Sequence, residues 1–205
     1  MTAPGDDRLR LLLGGLDAAW EMLDARLTGR APFQGDAAVD TDTDLTDDEY
    51  FWEPAPGCWS IRRRGDAESS MPWGSGEWVM DYERPAPQPP PITTIAWRLC
   101  HLAQWQLMRY DWTFGSRSLQ VEDISWPGTA RDAVAFLRDS HKKWRTALAE
   151  TTPDDLDTVG RSQMPNGLDP SVRFDDLVAW TNVEFAHHAA EVALLRDLYR
   201  ARFRA

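Results

Sequence analysis

The sequence predicts an all-α fold, an up-down four-helix bundle with one long irregular insertion between helices 1 and 2. Apolar residues recur at helical spacing in four separate segments, which is the pattern of amphipathic helices. Residues 29–91, between the first two segments, lack this period and are rich in Pro, Gly, Asp and Trp. The 205 residues suffice for one sizeable core. We therefore expect a single domain over residues 1–205, with residues 29–91 as an irregular arm.

The first helix is predicted from about Asp7 to Leu27. Gly29 follows it directly, in the position where a glycine often ends a helix. Its apolar stripe consists of Leu11, Leu12, Leu16, Trp20, Leu23 and Leu27.

Two short segments of the arm, residues 51–62 and 77–82, have the composition of extended chain. They are able to pair as one short hairpin, and their aromatic side chains are suited to docking the arm on the helices. Residues 85–91 contain five prolines and cannot lie inside a helix.

The second helix is predicted over residues 95–114 and the third over about residues 129–150. His101 lies in the middle of the second helix, on its apolar face. A lone histidine there is more often a hydrogen-bonded core residue, but ligation becomes favourable if other ligands face the same core. His141 in the third helix stands beside Asp139 and two lysines, so we expect it at the surface.

The fourth helix follows residues 169–171, and its inward stripe is apolar at both ends but ionisable in the middle. Glu184, His187, His188 and Glu191 project into one arc of about 100° by helical rotation. Carboxylates are rarely left uncompensated in an apolar interior. Glu and His at i and i+4 can offer an oxygen and a nitrogen to one metal ion. The spacing alone leaves open whether His187 or His188 is the ligand.

Composition narrows the possible partners. A net charge of −11 and a pI near 4.7 argue against binding to nucleic acids or anionic membranes. The sequence contains no secretory leader and no apolar run long enough to span a membrane, so we expect a cytoplasmic protein.

Cys58 and Cys100 are isolated and are expected to be packed thiols. Most of the eleven tryptophans should supply packing area, and a few of them are candidates for the wall of a pocket.

Three sequence stretches resemble a known family. They are Ile-Ala-Trp-Arg-Leu-Cys-His-Leu-Ala at 95–103, Glu-Phe-Ala-His-His-Ala-Ala-Glu at 184–191 with its continuation to Tyr199, and Pro-Gly-Cys-Trp-Ser-Ile-Arg at 56–62. On these stretches the chain resembles the DinB-like (DinB/YfiT) metalloprotein superfamily, in the branch common among actinobacterial sequences. The resemblance extends from the first helix to about residue 200.

The resemblance implies a four-helix bundle, often dimeric, that binds a divalent metal, commonly zinc or nickel, through three residues. These map onto His101, Glu184 and His188, so the resemblance favours His188 over His187. The His/Glu/His set is similar to that of the mycothiol-dependent maleylpyruvate isomerases. Glu191 is then a carboxylate beside the ligands and the best candidate for a proton acceptor.

The function implied is that of a metal-dependent transferase or isomerase that uses a low-molecular-weight thiol such as mycothiol. Its partners would be a small-molecule substrate and, in a homodimer, a second copy of the chain. One alternative is a non-catalytic metal-binding protein with a structural or stress-related role. Another is a metal-free bundle in which a neutral Glu184 is hydrogen-bonded to His188.

Overall fold

The computed structural model describes residues 7–29, 44–67, 69–165 and 170–203, and the chain is mostly helical. The single sheet of these residues has two strands, so the predicted all-α class is confirmed at this level. Residues 30–43 of the predicted arm lie outside the described ranges. In chain order the elements are α1 (Arg8–Thr28), α2 (Asp47–Tyr50), β1 (Ile61–Arg63), β2 (Trp78–Met80), α3 (Ile95–Phe114), α4 (Ala130–Ala149), α5 (Pro153–Asp157) and α6 (Phe174–Phe203).

The four long helices, α1, α3, α4 and α6, share one hydrophobic core. Each contributes an apolar stripe at helical spacing, as the sequence predicts. Because that spacing also sets the ends of each stripe, the predicted limits of α1, α3 and α4 lie within one residue of those observed. Core residues include Leu16, Leu23, Leu99, Leu102, Leu137, Trp144, Phe185 and Val192.

The helix directions do not alternate strictly, in contrast to the predicted up-down order. The hydroxyl of Tyr50 contacts Cys100 near the start of α3 at 3.6 Å, and it donates to the carbonyl of Pro127 just before α4 at 3.1 Å. The starts of α3 and α4 are therefore at the same end of the molecule, and the two helices run in the same direction. The connection of residues 115–129 can span about 50 Å when extended, whereas α3 is only about 30 Å long, so the chain can return along the helices.

Helix α6 also packs beside α1, in the same direction. The side-chain amide of Asn182 donates to the carbonyl of Leu12 at 2.8 Å. Farther along both helices, Nη2 of Arg26 donates to the carbonyl of Ala193 at 3.1 Å. Contacts with both α1 and α3 place the middle of α6 against two helices.

The arm contains the predicted hairpin and is anchored on α3. Strands β1 and β2 are antiparallel, with Ile61 opposite Met80. The fully buried Asp81 accepts hydrogen bonds from the backbone of Ser60 at 3.0 Å and from Arg62 Nε at 2.8 Å. The carbonyl of Asp81 accepts a bond from the indole of Trp97 on α3 at 2.9 Å. The hairpin thus sets the position of a tryptophan in the first turn of α3.

The two cysteines are buried and free, as expected from their isolation in the sequence. Burial raises the pKa of Cys58, and it raises the pKa of Cys100 to about 12. Both thiols are therefore protonated at neutral pH. A search of the helices in the described ranges finds no segment with the length and hydropathy of a membrane span.

Candidate metal centre

Three side chains, His101, Glu184 and His188, lie together between α3 and α6. His101 comes from the middle of α3, and the i, i+4 spacing of the other two places them on one face of α6. One donor atom from each residue lies within 4.8 Å of the other two. Nε2 of His188 is 2.9 Å from Oε1 of Glu184, and Nε2 of His101 is 3.7 Å from the same oxygen. These are the three residues predicted as ligands.

The donor set fits a divalent transition metal. Two imidazole nitrogens and one carboxylate oxygen are ligands that zinc accepts, and ligand atoms around a tetrahedral zinc lie about 3.3 Å apart. The two measured separations, 2.9 and 3.7 Å, lie on either side of this value. The third pair, the two imidazole nitrogens, lies within 4.8 Å, so the three atoms can be brought to one ion by side-chain rotation.

The pKa shifts of Glu184 and His101 favour the charge states that metal binding requires. His101, which has the largest effect, and His188 hold the pKa of Glu184 at about 2, so its carboxylate is ionised at neutral pH. Burial lowers the pKa of His101, although the neighbouring Glu184 carboxylate opposes this effect. A neutral imidazole and an ionised carboxylate are the forms that bind metals.

The second ring nitrogen of His188 faces an ion pair. Nδ1 of His188 is 2.6 Å from Oε2 of Glu191, and Nε of Arg98 is 2.8 Å from the same oxygen. Metal-binding histidines commonly donate their other N–H to a carboxylate, which orients the ring and selects its tautomer. Glu191 has this position relative to His188. Burial lowers the pKa of Arg98, against the effects of Glu191 and Glu184.

His187 and His188, which the helical spacing could not tell apart, have different surroundings. The side chain of His188 is 8% exposed, whereas that of His187 is 64% exposed. Nε2 of His187 lies 3.5 Å from Oε1 of Glu191 and is not part of the three-residue cluster. The packing of α6 against α3 therefore brings His188, and not its neighbour, into the cluster.

Two tryptophans contact His101 of the cluster, and a third packs against one of them. The ring of Trp97 stacks on His101 with centroids 4.7 Å apart, and Trp105 meets the same imidazole edge-on at 6.2 Å. Trp180 contacts Trp105 in a T-shaped arrangement at 5.3 Å and is itself 48% exposed. The role of some tryptophans as walls of a pocket stays a prediction.

Sequence reasoning missed Arg98 and misplaced His141. Arg98 precedes His101 by three residues on a helix, and this spacing was the signal that it shares a face with the histidine. His141 is buried, not at the surface: its ring stacks on Trp20 at 4.2 Å, and its Nδ1 lies 3.3 Å from the amide nitrogen of Gln106. Neighbouring charges in the sequence were misleading because they lie on other faces of α4. His141 does not belong to the metal cluster.

Of three comparisons with known proteins, one finds a match. Neither the curated proteins nor the solved structures contain a significant match to this chain. A family model, that of the DinB superfamily, matches residues 80–192, which is more than half of the chain and includes all the residues of the cluster. On this match, which covers both helices that carry the His/Glu/His cluster, the chain belongs to the DinB superfamily.

Proposed function

We propose that this protein binds one divalent metal ion, zinc or nickel, through His101, Glu184 and His188, and that it is a transferase or isomerase using a low-molecular-weight thiol such as mycothiol. The observation that carries the proposal is the cluster of three donor atoms from two helices. Three protein ligands leave a tetrahedral ion one position for a water molecule or a substrate, which is typical of catalytic sites.

The chemistry that such an ion supplies is a lower pKa for a thiol or a water molecule, toward neutrality. The protein's own groups prepare the site. Glu184 contributes a negative charge, and Glu191 fixes the ring of His188 through the 2.6 Å contact with Nδ1.

The proton-acceptor role of Glu191 stays a prediction. Its Oε2 atom is occupied by His188 and Arg98, so Oε1 is the atom that would take up a proton. That oxygen lies 3.5 Å from Nε2 of the exposed His187.

The source of the thiol follows from the state of the cysteines. Cys58 and Cys100 are both buried with raised pKa values. The thiolate is the nucleophilic form of cysteine. Because both thiols are buried and protonated, neither cysteine supplies an accessible thiolate. A thiol-dependent reaction at this centre therefore needs a small-molecule thiol as co-substrate.

One alternative is a metal site without catalysis. The donors lie on two long helices, so a bound ion would cross-link α3 to α6 and stabilise the fold. A metal-free protein is the other alternative, and the 2.9 Å contact between Glu184 and His188 is the hydrogen bond it would use.

The first experiment measures metal content by plasma mass spectrometry on protein purified without a His-tag. The parent should carry about one equivalent of zinc or nickel, and His101→Ala and His188→Ala should carry none. His187→Ala is the matched control and should retain the metal, because this histidine lies outside the cluster. Absence of metal after dialysis against zinc and nickel, or equal content in all variants, would contradict the proposed site.

A second experiment separates catalysis from a structural role. The metal-loaded protein is incubated with mycothiol and the electrophile monochlorobimane, and conjugate fluorescence is followed. A rate above that of the metal-free protein supports the thiol-dependent activity. Metal uptake without any such rate favours the non-catalytic alternative.

A further inference from the structure

The candidate metal centre has two chemically different ends. Helices α3 and α6 run antiparallel across it, so residues one turn before His101 on α3 face residues one turn after His188 on α6. The result is three successive layers of side-chain pairs. The first layer is the charged pair of Arg98 and Glu191. The second is the cluster of His101, Glu184 and His188. The third is the aromatic pair of Trp105 and Trp180.

The aromatic end offers a surface for a planar apolar group. Trp180 is 48% exposed and packs against Trp105, which in turn contacts His101 of the partly buried cluster. Its ring meets Trp105 at an interplanar angle of 63°, so the two rings are not stacked face to face. An aromatic group of a ligand can use the open ring surface by stacking or by an edge contact.

The charged end retains a donor. Nε of Arg98 forms an ion pair with Oε2 of Glu191 at 2.8 Å without a hydrogen bond, and Nη1 lies 3.1 Å from Nδ1 of His188. Within the described residues, its Nη2 makes no hydrogen bond. A guanidinium can donate five hydrogen bonds, and it binds carboxylates well because of its planar geometry.

Before a thiolate occupies the open metal position, the balance of charge at the centre favours an anionic ligand. The charges of Arg98 and Glu191 cancel, and the two imidazoles are neutral ligands. A divalent ion bound by the single carboxylate of Glu184 would therefore leave one positive charge, and an ion's own charge is often the largest in its site.

We propose that the second substrate of this centre, the one that reacts with the thiol, is a small carboxylate with a planar apolar group. The carboxylate lies at the cluster within reach of Arg98 Nη2, and the planar group lies against Trp180 and Trp105. Trp105 follows His101 by four residues of α3, about 6 Å along the helix axis, so an arylalkanoate with two or three carbons between its ring and its carboxylate matches this spacing. This inference rests on the proposed function, that is, on the metal site and on the use of a thiol.

Isothermal titration calorimetry on zinc-loaded protein tests the proposal with four probes, three that share a phenylpropyl skeleton and one that lacks the ring. They are 3-phenylpropionate, 3-phenylpropanol, 3-phenylpropylamine and propionate. The phenyl acid should bind about tenfold more tightly than propionate, which lacks the ring. It should also bind at least about tenfold more tightly than the alcohol, which lacks the charge, and the amine should bind most weakly.

Variants assign each preference to its side chain. Trp180→Ala should remove the advantage of the ring, and Arg98→Gln should reduce the advantage of the carboxylate, with Arg98→Lys in between because it keeps the charge. Leu194→Ala, another exposed apolar residue of α6, and Arg131→Gln, an exposed arginine outside the centre, are matched controls that should bind like the parent.

The zinc content of every variant is measured first, so that two failures can be told apart. A parent that retains no zinc defeats the proposed function and this inference with it. A zinc-loaded parent that binds the four probes equally well, or a Trp180→Ala variant that still prefers the ring, overturns this inference alone. If Arg98→Gln loses zinc, the comparison of acid, alcohol and amine on the parent decides.

Discussion

Oε2 of Glu191 forms a 2.6 Å hydrogen bond with Nδ1 of His188, whereas Nε2 of the same ring faces Glu184. A carboxylate in this place makes the imidazole a better ligand and holds its orientation. We expect Glu191→Gln to weaken zinc binding by about 10- to 100-fold, measured by competition with a chromogenic chelator. Glu150→Gln removes an exposed carboxylate and should leave the affinity unchanged. Equal affinities for both variants would contradict the positioning role.

The burial of His141 leads to a second prediction, which concerns the pH dependence of the free energy of unfolding. Burial lowers its pKa from 6.5 to about 4, with Arg145 also lowering it and Asp17 and Asp24 opposing. The unfolded state therefore binds more protons than the folded state between these values, and stability must fall as the pH decreases through this window. Its share of the loss is about 2 kcal/mol between pH 8 and pH 5.

Urea unfolding at pH 8 and pH 5 checks this, with a chelator present to remove any metal contribution. His141→Gln cannot titrate, so its stability should fall by about 2 kcal/mol less than that of the parent. His187→Gln removes an exposed histidine and should behave like the parent. An identical pH dependence in the parent and His141→Gln would exclude the buried neutral imidazole as a cause.

The residues of the candidate site were predictable because their chemistry conflicts with their surroundings. Ionisable groups in the middle of an apolar stripe require compensation, and this pointed to Glu184 and to a histidine next to it. Periodicity could not choose between His187 and His188, which differ by about 100° around the helix. For Arg98 the spacing from His101 was the one signal, and it was weak because an arginine at a helix edge is usually solvated.

Element α2 is short, yet it is tied to the end of α6 by a buried ion pair. Glu49 and Arg196 are both fully buried, with Oε2 and Nη2 3.0 Å apart. Glu49 also accepts a hydrogen bond from the backbone of Thr46 at 3.1 Å, which completes the cap of α2. One carboxylate therefore both forms the short helix and attaches it to α6.

Removal of that carboxylate should be strongly destabilising. Glu49→Gln leaves the charge of Arg196 buried opposite a neutral group, and breaking a buried pair in this way costs about 3–5 kcal/mol. Arg10→Gln breaks an exposed pair with Asp7 and should cost far less, because solvent screens that pair. Denaturant unfolding compares the two variants. Similar losses in the free energy of unfolding would show that burial does not strengthen the contribution of the Glu49–Arg196 ion pair.

At the level of elements, the sequence was informative about helix limits and silent about helix direction. The apolar period of α3 and α4 and their cap residues, Thr94 and Thr129, are local features. Direction depends on where the connection of residues 115–129 runs, and its length permits either a turn or a return along the helices. The parallel α3–α4 pair therefore became visible only from contacts such as that of Tyr50 with both helix starts.

For the whole molecule, a metal ion shared by α3 and α6 must couple to folding. A ligand that binds only the folded state stabilises it by about 2.7 kcal/mol at a free concentration of 100 Kd. In a chain of this size each kcal/mol raises the Tm by about 2–4 °C, so zinc should raise it by several degrees. Differential scanning fluorimetry of the parent and of His101→Ala measures the effect.

His101→Ala should show no zinc-dependent shift, because it removes the only ligand from α3 in the cluster. Magnesium, which prefers oxygen ligands, is the control ion and should not stabilise the parent. A shift of the same size in both proteins would place the bound zinc elsewhere in the molecule.

The sequence alone determined the properties that depend on neighbours along the chain. These are the four helical stripes, the hairpin-forming segments of the arm, and the residues on α3 and α6 whose polarity does not match their helix face. The tertiary structure decided what depends on packing between distant segments: the common direction of α3 and α4, the choice of His188, the burial of His141 and the pairing of Arg98 with Glu191. The physical reason is that a helical period fixes the face on which a side chain lies, whereas the segment that covers this face is selected by the core as a whole.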